Sequence, residues 1–115
     1  MAWLNKGPKN TRVYLGVIRG NIKVYVGITS QKFRARMSQH NTIRRAQGLP
    51  IFLRLKPMSG PLTRNQAQAV EQVLIMANPH FDNQKNSIAV GRSTFQGALE
   101  WGSIHLVKSG KALFY

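Results

Sequence analysis

The sequence predicts a single α/β domain of the α+β type, in which a small, mainly antiparallel three-stranded sheet is flanked by helices. Three observations support this prediction. β-branched residues run on both sides of Gly20-Asn21, which is typical of a hairpin. Helical spacing follows from about residue 31, and a helix-start signal stands at Thr63. At 115 residues the chain has the length of one domain with one core, so we assign residues 1–115 to a single domain.

The hairpin is predicted to bring two tyrosines onto one face of the sheet. A two-residue type II′ turn places Tyr14 opposite Gly27 and Tyr25 opposite Gly16. Because side chains alternate along a strand, Ile18 and Lys23 join this face, and the other face collects apolar residues: Val13, Leu15, Val17, Ile22, Val24, Val26 and Ile28. Glycine in a strand often marks a close approach, so we expect the tyrosine face to be a platform open to a polar ligand. The alternative is an aromatic pair that only stabilises the sheet.

The first helix is predicted over roughly residues 31–45. Thr29 or Ser30 can cap its start, and the Gln47-Gly48-Leu49-Pro50 stretch ends it. Its inward stripe follows the i, i+3, i+4, i+7 spacing and consists of Phe33, Arg36, Met37 and His40. Arg36 and His40 lie one turn apart and can serve one site. The alternatives are a solvated charge for the arginine and a core-edge position for the histidine.

A third strand over residues 51–55 precedes the second helix, which opens at Thr63. Thr63 and Gln66 form a capping box, and Leu62 with Ala67 forms a hydrophobic staple. The apolar stripe of this helix comprises Ala67, Val70, Leu74 and Ala77, and Glu71 falls inside it. A carboxylate on a buried stripe is costly unless it is paired, hydrogen-bonded or bound to a metal. The alternative to a metal is an ion pair with Arg36 or another arginine.

The remainder of the chain predicts a helix from about residue 94 to residue 108, followed by a Leu113-Phe114-Tyr115 tail that covers the sheet. Trp101 in this helix is expected to be a core residue rather than a platform for base stacking.

The charge of the chain indicates a polyanionic partner. Seventeen Lys and Arg residues stand against three Asp and Glu residues, a formal net charge of +14. Nucleic acid is the leading candidate, and an anionic membrane or an acidic protein is the alternative. The sequence contains no cysteine, no signal-peptide pattern and no apolar run long enough to span a bilayer, so we expect no disulfide, no thiolate metal site and no membrane partner.

The motifs together resemble the GIY-YIG nuclease domain. They are the tyrosine-bearing hairpin, Phe33-x-x-Arg36 with His40, the Leu62-Thr63-x-x-Gln66-Ala67 helix opening, Glu71-Gln72, and Asn78-Pro79 with Asn83. The resemblance covers residues 11–88, is closest to the toxin branch of the family, and leaves 93–115 as a helical extension. The chain departs from the family in its first motif, where Arg12-Val13-Tyr14 stands in place of Gly-Ile-Tyr, and either Asn83 or Asn86 matches the final asparagine.

The resemblance implies roles for the matching residues. Tyr14 would accept a proton from water, assisted by Tyr25 or His40, and Asn83 would position the loop or the substrate. Arg36 offers a planar fork for phosphate oxygens. Glu71 would hold one Mg²⁺ or Mn²⁺ ion, since three acidic residues in the whole chain make a two-metal centre hard to assemble. To act as a base, Tyr14 would need its pKa depressed by the metal, Arg36 and nearby lysines, and the positive field acts in that direction.

The predicted function is that of a metal-dependent endonuclease that hydrolyses phosphodiester bonds, with DNA favoured over RNA. The resemblance implies the terminal toxin domain of a bacterial polymorphic toxin, delivered into the cytoplasm of a target cell and inhibited in the producer by an acidic immunity protein. Basic residues predicted to bind the nucleic acid are Lys23, Lys32, Arg34, Arg44 and Arg45. The alternatives are a non-catalytic nucleic-acid-binding module on the same scaffold and a metal-independent ribonuclease toxin.

Overall fold

A computed structural model describes residues 2–82, 87–91 and 93–115. In chain order its elements are β1 (Arg12–Ile18), β2 (Ile22–Thr29), α1 (Phe33–Ala46), β3 (Arg54–Pro57), α2 (Arg64–Ala77) and α3 (Phe95–Lys108). The strands form one sheet in the order β2-β1-β3, and both pairs of neighbours are antiparallel. The predicted α+β fold with a three-stranded antiparallel sheet is therefore confirmed.

Helices cover both faces of the sheet. The main core joins Val13, Leu15 and Val26 to apolar residues of α2 and to Leu106 of α3. On the other face, Phe33 and Met37 of α1 pack with Tyr14 and Phe52 in a second cluster. The expectation of a tyrosine platform open to solvent is wrong, because the inward stripe of α1 lies against that face and Tyr14 is fully buried.

The hairpin keeps the predicted register only in the half that is remote from its turn. Tyr14 pairs with Gly27 and Gly16 with Tyr25, as predicted, but a β-bulge follows and Val17 pairs with Lys23. Gly20 and Asn21 both adopt positive φ (82° and 59°), whereas a type II′ turn needs this at one position only. The predicted turn type is therefore wrong. Asparagine tolerates the left-handed conformation, so both residues can adopt it, and the turn is longer than two residues.

The bulge exchanges the faces of two side chains. Lys23, paired with Val17, lies on the side opposite the tyrosines, and Val24 packs in the tyrosine cluster. Both faces had been predicted the other way round. The Val24 carbonyl at the bulge accepts a hydrogen bond from the Asp82 amide at 2.6 Å, which fastens the chain after α2 to the outer edge of β2.

Two predicted boundaries moved because of local hydrogen bonds. The Thr29 hydroxyl accepts from the Gln31 amide at 3.0 Å, so α1 begins at Phe33 with Lys32 as an N-cap that makes no side-chain bond. Asn41 of α1 makes two hydrogen bonds to the backbone of Phe52, of 2.8 and 2.9 Å. These bonds hold the chain at residue 52 outside the ladder, so β3 runs over Arg54–Pro57 instead of 51–55.

The start of α2 is as predicted, and the tail is so in part, because Leu113 and Tyr115 pack inward whereas Phe114 is exposed. Thr63 and Gln66 form both hydrogen bonds of the capping box. The side chain of buried Asn78 donates to the Leu113 carbonyl at 2.8 Å and accepts from the Tyr115 amide at 2.7 Å, so the tail lies against the main core. Among the described helices, none is long and apolar enough to cross a membrane.

Candidate active site

A short hydrogen bond joins Tyr14 of β1 to His40 of α1, with 2.6 Å between Oη and Nε2. Burial, the largest cause, and the charges of Arg36 and Arg44 together lower the pKa of His40 to about 4. The imidazole is therefore neutral at neutral pH, and in the tautomer with the proton on Nδ1 its Nε2 accepts the phenol proton. This bond supports the predicted association of the two residues.

Burial raises the pKa of Tyr14, and the nearby phenol of Tyr25 raises it further. The charge of Arg36 and a hydrogen bond from its side chain lower this pKa, but they do not outweigh the effect of burial. Arg36 thus acts on this pKa in the expected direction, but without a bound cation burial outweighs it. The phenol stays protonated, and any proton that it accepts from water must be matched by one that it gives away.

Aromatic rings enclose this hydrogen bond. The ring centroid of Tyr25 lies 6.4 Å from that of Tyr14 and 4.9 Å from that of His40, and Phe52 packs 5.2 Å from the imidazole. Gly27 lies between the two tyrosines, where an added Cβ would overlap the Tyr14 hydroxyl and come within 2.9 Å of Tyr25 Cε1. The glycine is thus required by the close approach of both side chains.

Arg36 faces the same group from α1, one turn before His40. Its charge lowers the pKa of both Tyr14 and Tyr25, and its Nη1 donates to Gln39 Oε1 at 3.0 Å. Among the described residues, Arg44 forms an ion pair with Asp82, whereas Arg36 has no carboxylate partner. The guanidinium is half-buried and available to an anionic ligand.

Glu71 of α2 is half-buried and acts on the same tyrosines. Burial is the main cause that raises the pKa of Glu71, and a hydrogen bond from Ser87 and the charge of Arg64 oppose it. The carboxylate in turn raises the pKa of both Tyr14 and Tyr25. The carboxylate therefore lies near the two phenols and not in bulk solvent, and the alternative ion pair with Arg36 does not form.

The donor set suits a single hard cation held by few protein ligands. No group of three or more His, Cys, Asp or Glu side chains occurs in the described part of the chain. Asp82 is committed to Arg44, and Glu100 is exposed on α3. Glu71, with the Ser87 hydroxyl beside it, matches the one or two protein ligands with which Mg²⁺ often binds while it keeps most of its waters.

The predicted basic residues divide into three groups. Lys32, Arg34 and Arg45 are exposed along or next to α1. Arg44 is buried, where its Nε donates to the Pro50 carbonyl at 2.5 Å, its Nη1 pairs with Asp82 at 2.9 Å and its guanidinium lies 4.3 Å from the Phe52 ring centroid. In this conformation Arg44 braces α1 and is not free to meet a phosphate. Lys23 lies on the far face of the sheet, and Asn83 and Asn86 lie outside the described residues.

Ser87 is the site residue that the sequence did not reveal. The next residue, Ile88, is buried and its amide donates to Gln72 Oε1 at 2.9 Å, which anchors this segment beside Glu71. The available signal was Gln72, since an amide side chain on the inner face of a helix needs a buried partner. The partner itself lies sixteen residues away and could not be read from local pattern.

Comparisons with known proteins found no matching family model and no significant match to a curated protein or a solved structure.

Proposed function

We propose that this chain is a divalent-metal-dependent endonuclease that hydrolyses nucleic-acid phosphodiester bonds. The observation that carries the proposal is the 2.6 Å Tyr14–His40 hydrogen bond, with Tyr25, Arg36 and Glu71 grouped around it. Two strands and two helices contribute these side chains. Polar groups that converge among apolar side chains, with strongly shifted pKa values, are typical of a catalytic site.

Two of these residues form a proton relay in the proposed reaction. A water molecule attacks the phosphorus as the bond from phosphorus to the leaving oxygen breaks, and the water loses a proton to the Tyr14 oxygen while the phenol proton passes to Nε2 of His40. The phenol remains neutral throughout, so the base strength of the relay is that of His40, whose pKa burial lowers. The imidazole becomes a cation and returns the proton to solvent or to the leaving oxygen.

The remaining residues handle charge. Arg36 binds the non-bridging phosphate oxygens through its planar fork. Glu71 would hold Mg²⁺ or Mn²⁺, and such an ion supplies positive charge and orientation at the scissile phosphate when bound. Because the ligand must be ionised and burial raises the pKa of Glu71, metal affinity should weaken as the pH falls.

The biological setting of the proposal comes from the resemblance and the charge. A net charge of +14 favours a nucleic-acid substrate, and the resemblance to GIY-YIG domains favours DNA over RNA. The same resemblance supports a toxin domain that acts in the cytoplasm of a target cell and is inhibited by an acidic immunity protein. By the same resemblance, Asn83 or Asn86 would complete the site of this chain.

Plasmid cleavage with a matched pair of carboxylate variants tests the proposal. Purified protein is incubated with supercoiled plasmid and Mg²⁺, and Glu71→Gln is compared with Glu100→Gln, which alters an exposed carboxylate on α3. We expect the wild type and Glu100→Gln to nick the plasmid, and Glu71→Gln and the chelated wild type to leave it intact. Equal inactivity of all three proteins, with binding retained, would instead identify a non-catalytic binder.

The same experiment run on RNA separates the other alternative. RNA cleavage that survives chelation and the Glu71→Gln change would identify a metal-independent ribonuclease, in which Tyr14 and His40 act without a cation.

A further inference from the structure

A second group of cations lies on the opposite side of the sheet from the tyrosines. We call it the β3 cation cluster, and it consists of Lys23, Arg54, Lys56 and Lys111. The strand register places three of its members together. Lys23 of β2 and Arg54 of β3 both pair with Val17 of β1, and Lys56 pairs with Leu15. Because paired residues share a face, these side chains lie on the Val17 side, away from Tyr14.

The C-terminal tail completes the cluster. The Lys111 amide donates to the Leu106 carbonyl at 2.9 Å, where the chain leaves α3. Further along, the ring of Tyr115 lies under the Lys56 ammonium, 5.4 Å from Nζ to the ring centroid. Burial, the largest cause, and the charges of Lys23, Arg54 and Lys111 lower the pKa of Lys56, so these three cations lie close enough to repel its ammonium group.

No carboxylate side chain offsets this repulsion in the part of the chain that the structure describes. Asp82 is paired with Arg44, Glu71 is bonded to Ser87, and Glu100 is exposed on α3. The other contacts seen in the cluster are the Lys56–Tyr115 contact and a 2.8 Å hydrogen bond from Arg54 to Asn21. Among the described residues no ion pair joins these four cations to a carboxylate, so they form a strongly positive surface, and an anion bound there relieves the repulsion.

We propose that the β3 cation cluster binds the phosphate backbone of a nucleic acid and forms an anchoring surface separate from the candidate active site. Lys23 and Arg54 flank β1, so their Cα atoms lie about 10 Å apart, and Arg54 and Lys56 lie about 7 Å apart along β3. These separations match two to three nucleotides of one strand at about 3.4 Å of axial rise each. Contacts of this kind carry no sequence preference.

The choice of nucleic acid as the anion rests on the proposed function, but the test separates the two ideas. Binding of a labelled DNA duplex is measured by fluorescence anisotropy across a salt series, in chelator so that no cleavage occurs. The cluster variant carries Lys23→Gln, Lys56→Gln and Lys111→Gln. The control variant carries Lys6→Gln, Lys9→Gln and Lys108→Gln, three exposed lysines whose charges do not contribute to the pKa of Lys56.

Both variants lose three positive charges, so a general effect of net charge is the same in each. For the cluster variant we expect the slope of log affinity against log salt to fall by about 2–3, at about 0.9 for each lost phosphate contact. Affinity at about 0.1 M salt should fall roughly 100-fold or more on the same basis. For the control variant we expect a slope change below about 1.

Thermal unfolding checks that both variants are folded. If the triple cluster variant unfolds, the single change Lys56→Gln replaces it, with an expected loss of about 0.9 in the slope. Equal slopes for the cluster and control variants, or no binding of duplex by the wild type, would overturn the proposal. Loss of binding to anionic lipid vesicles with an unchanged DNA slope would also overturn it and identify a membrane surface. Cleavage in Mg²⁺ by the wild type is measured in a separate experiment. A nuclease that fails this binding test is therefore distinguished from a DNA-binding protein that does not cleave.

Discussion

Gly27 holds the two tyrosines in place, and Gly27→Ala tests that arrangement. The new methyl group would overlap the Tyr14 hydroxyl and lie 2.6 Å from Tyr14 Cζ, closer than Cβ atoms are found in proteins. Since Tyr14 is fully buried and its hydroxyl is bonded to His40, a shift of its ring would disturb that hydrogen bond. Overpacking costs about 1–3 kcal/mol and the lost hydrogen bond about 1 kcal/mol, against a gain in strand propensity of at most about 1 kcal/mol.

The net loss in the free energy of unfolding is therefore about 1–3 kcal/mol. For 115 residues the unfolding entropy is about 0.24 kcal/mol/K, so the melting temperature should fall by about 4–12 °C. Gly60→Ala is the control, because an added Cβ there meets no atom within 4 Å, and we expect no comparable change.

A double-mutant cycle with Tyr14→Phe isolates the contact. The phenylalanine lacks the overlapping hydroxyl and is not tied to His40, so Gly27→Ala should cost about 1 kcal/mol less in that background. Thermal unfolding of the four proteins measures the difference. Additive costs, or a stabilising Gly27→Ala change, would show that the glycine is not required by the two tyrosines.

Three further predictions concern stability. Since the pKa of His40 falls from 6.5 to about 4 on folding, the unfolded chain takes up the proton first, so this residue's contribution to stability is present above pH 6.5 and is lost as the pH falls toward 4. The difference in unfolding free energy between the wild type and His40→Gln should shrink over that range in urea titrations, and a constant difference would contradict the shifted pKa. Arg44→Met should destabilise the protein by about 1–3 kcal/mol, whereas Arg45→Met on the exposed side should change stability by less than about 0.5 kcal/mol. Similar losses for the two variants would show that the contacts of Arg44 do not stabilise the position of α1. Gly102→Ala would place a Cβ 2.6 Å from the Ala69 carbonyl oxygen, so a loss of about 1–3 kcal/mol should exceed the gain of about 1 kcal/mol in helix propensity, and a raised melting temperature would show that α3 is free to shift.

Local signals predicted much of the fold. The capping box at Thr63 involves residues three apart, so it could be read directly and proved correct. The pairing of Tyr14 with Gly27 also followed from placing the turn at Gly20-Asn21. The position of β3 could not be predicted, because the bonds from Asn41 to Phe52 join residues eleven apart in a contact that no pattern announces.

The sequence predicted which residues form the candidate site better than it predicted their chemistry. The inward position of Glu71 followed from the apolar stripe of α2. The placement of Arg36 and His40 at one site followed from their separation by one turn of α1. The sign of the change in the pKa of Tyr14 depended on burial beneath α1, which the sequence could not reveal since both sheet faces carry apolar residues. Arg44 and Arg45 are likewise indistinguishable as neighbours in the sequence, yet one is buried and the other exposed.

The bulge in the hairpin links the length of its loop to the chemistry of the strand that follows. A hairpin with a two-residue turn at Gly20-Asn21 would pair without the bulge and would rotate Lys23 into the aromatic cluster, where a cation has no counter-charge, while Val24 would turn toward the opposite surface. A chain that folded with the shorter loop would therefore need polar and apolar character exchanged at these two positions. The hairpin tip, although exposed, is thus expected to tolerate substitutions far better than insertions or deletions.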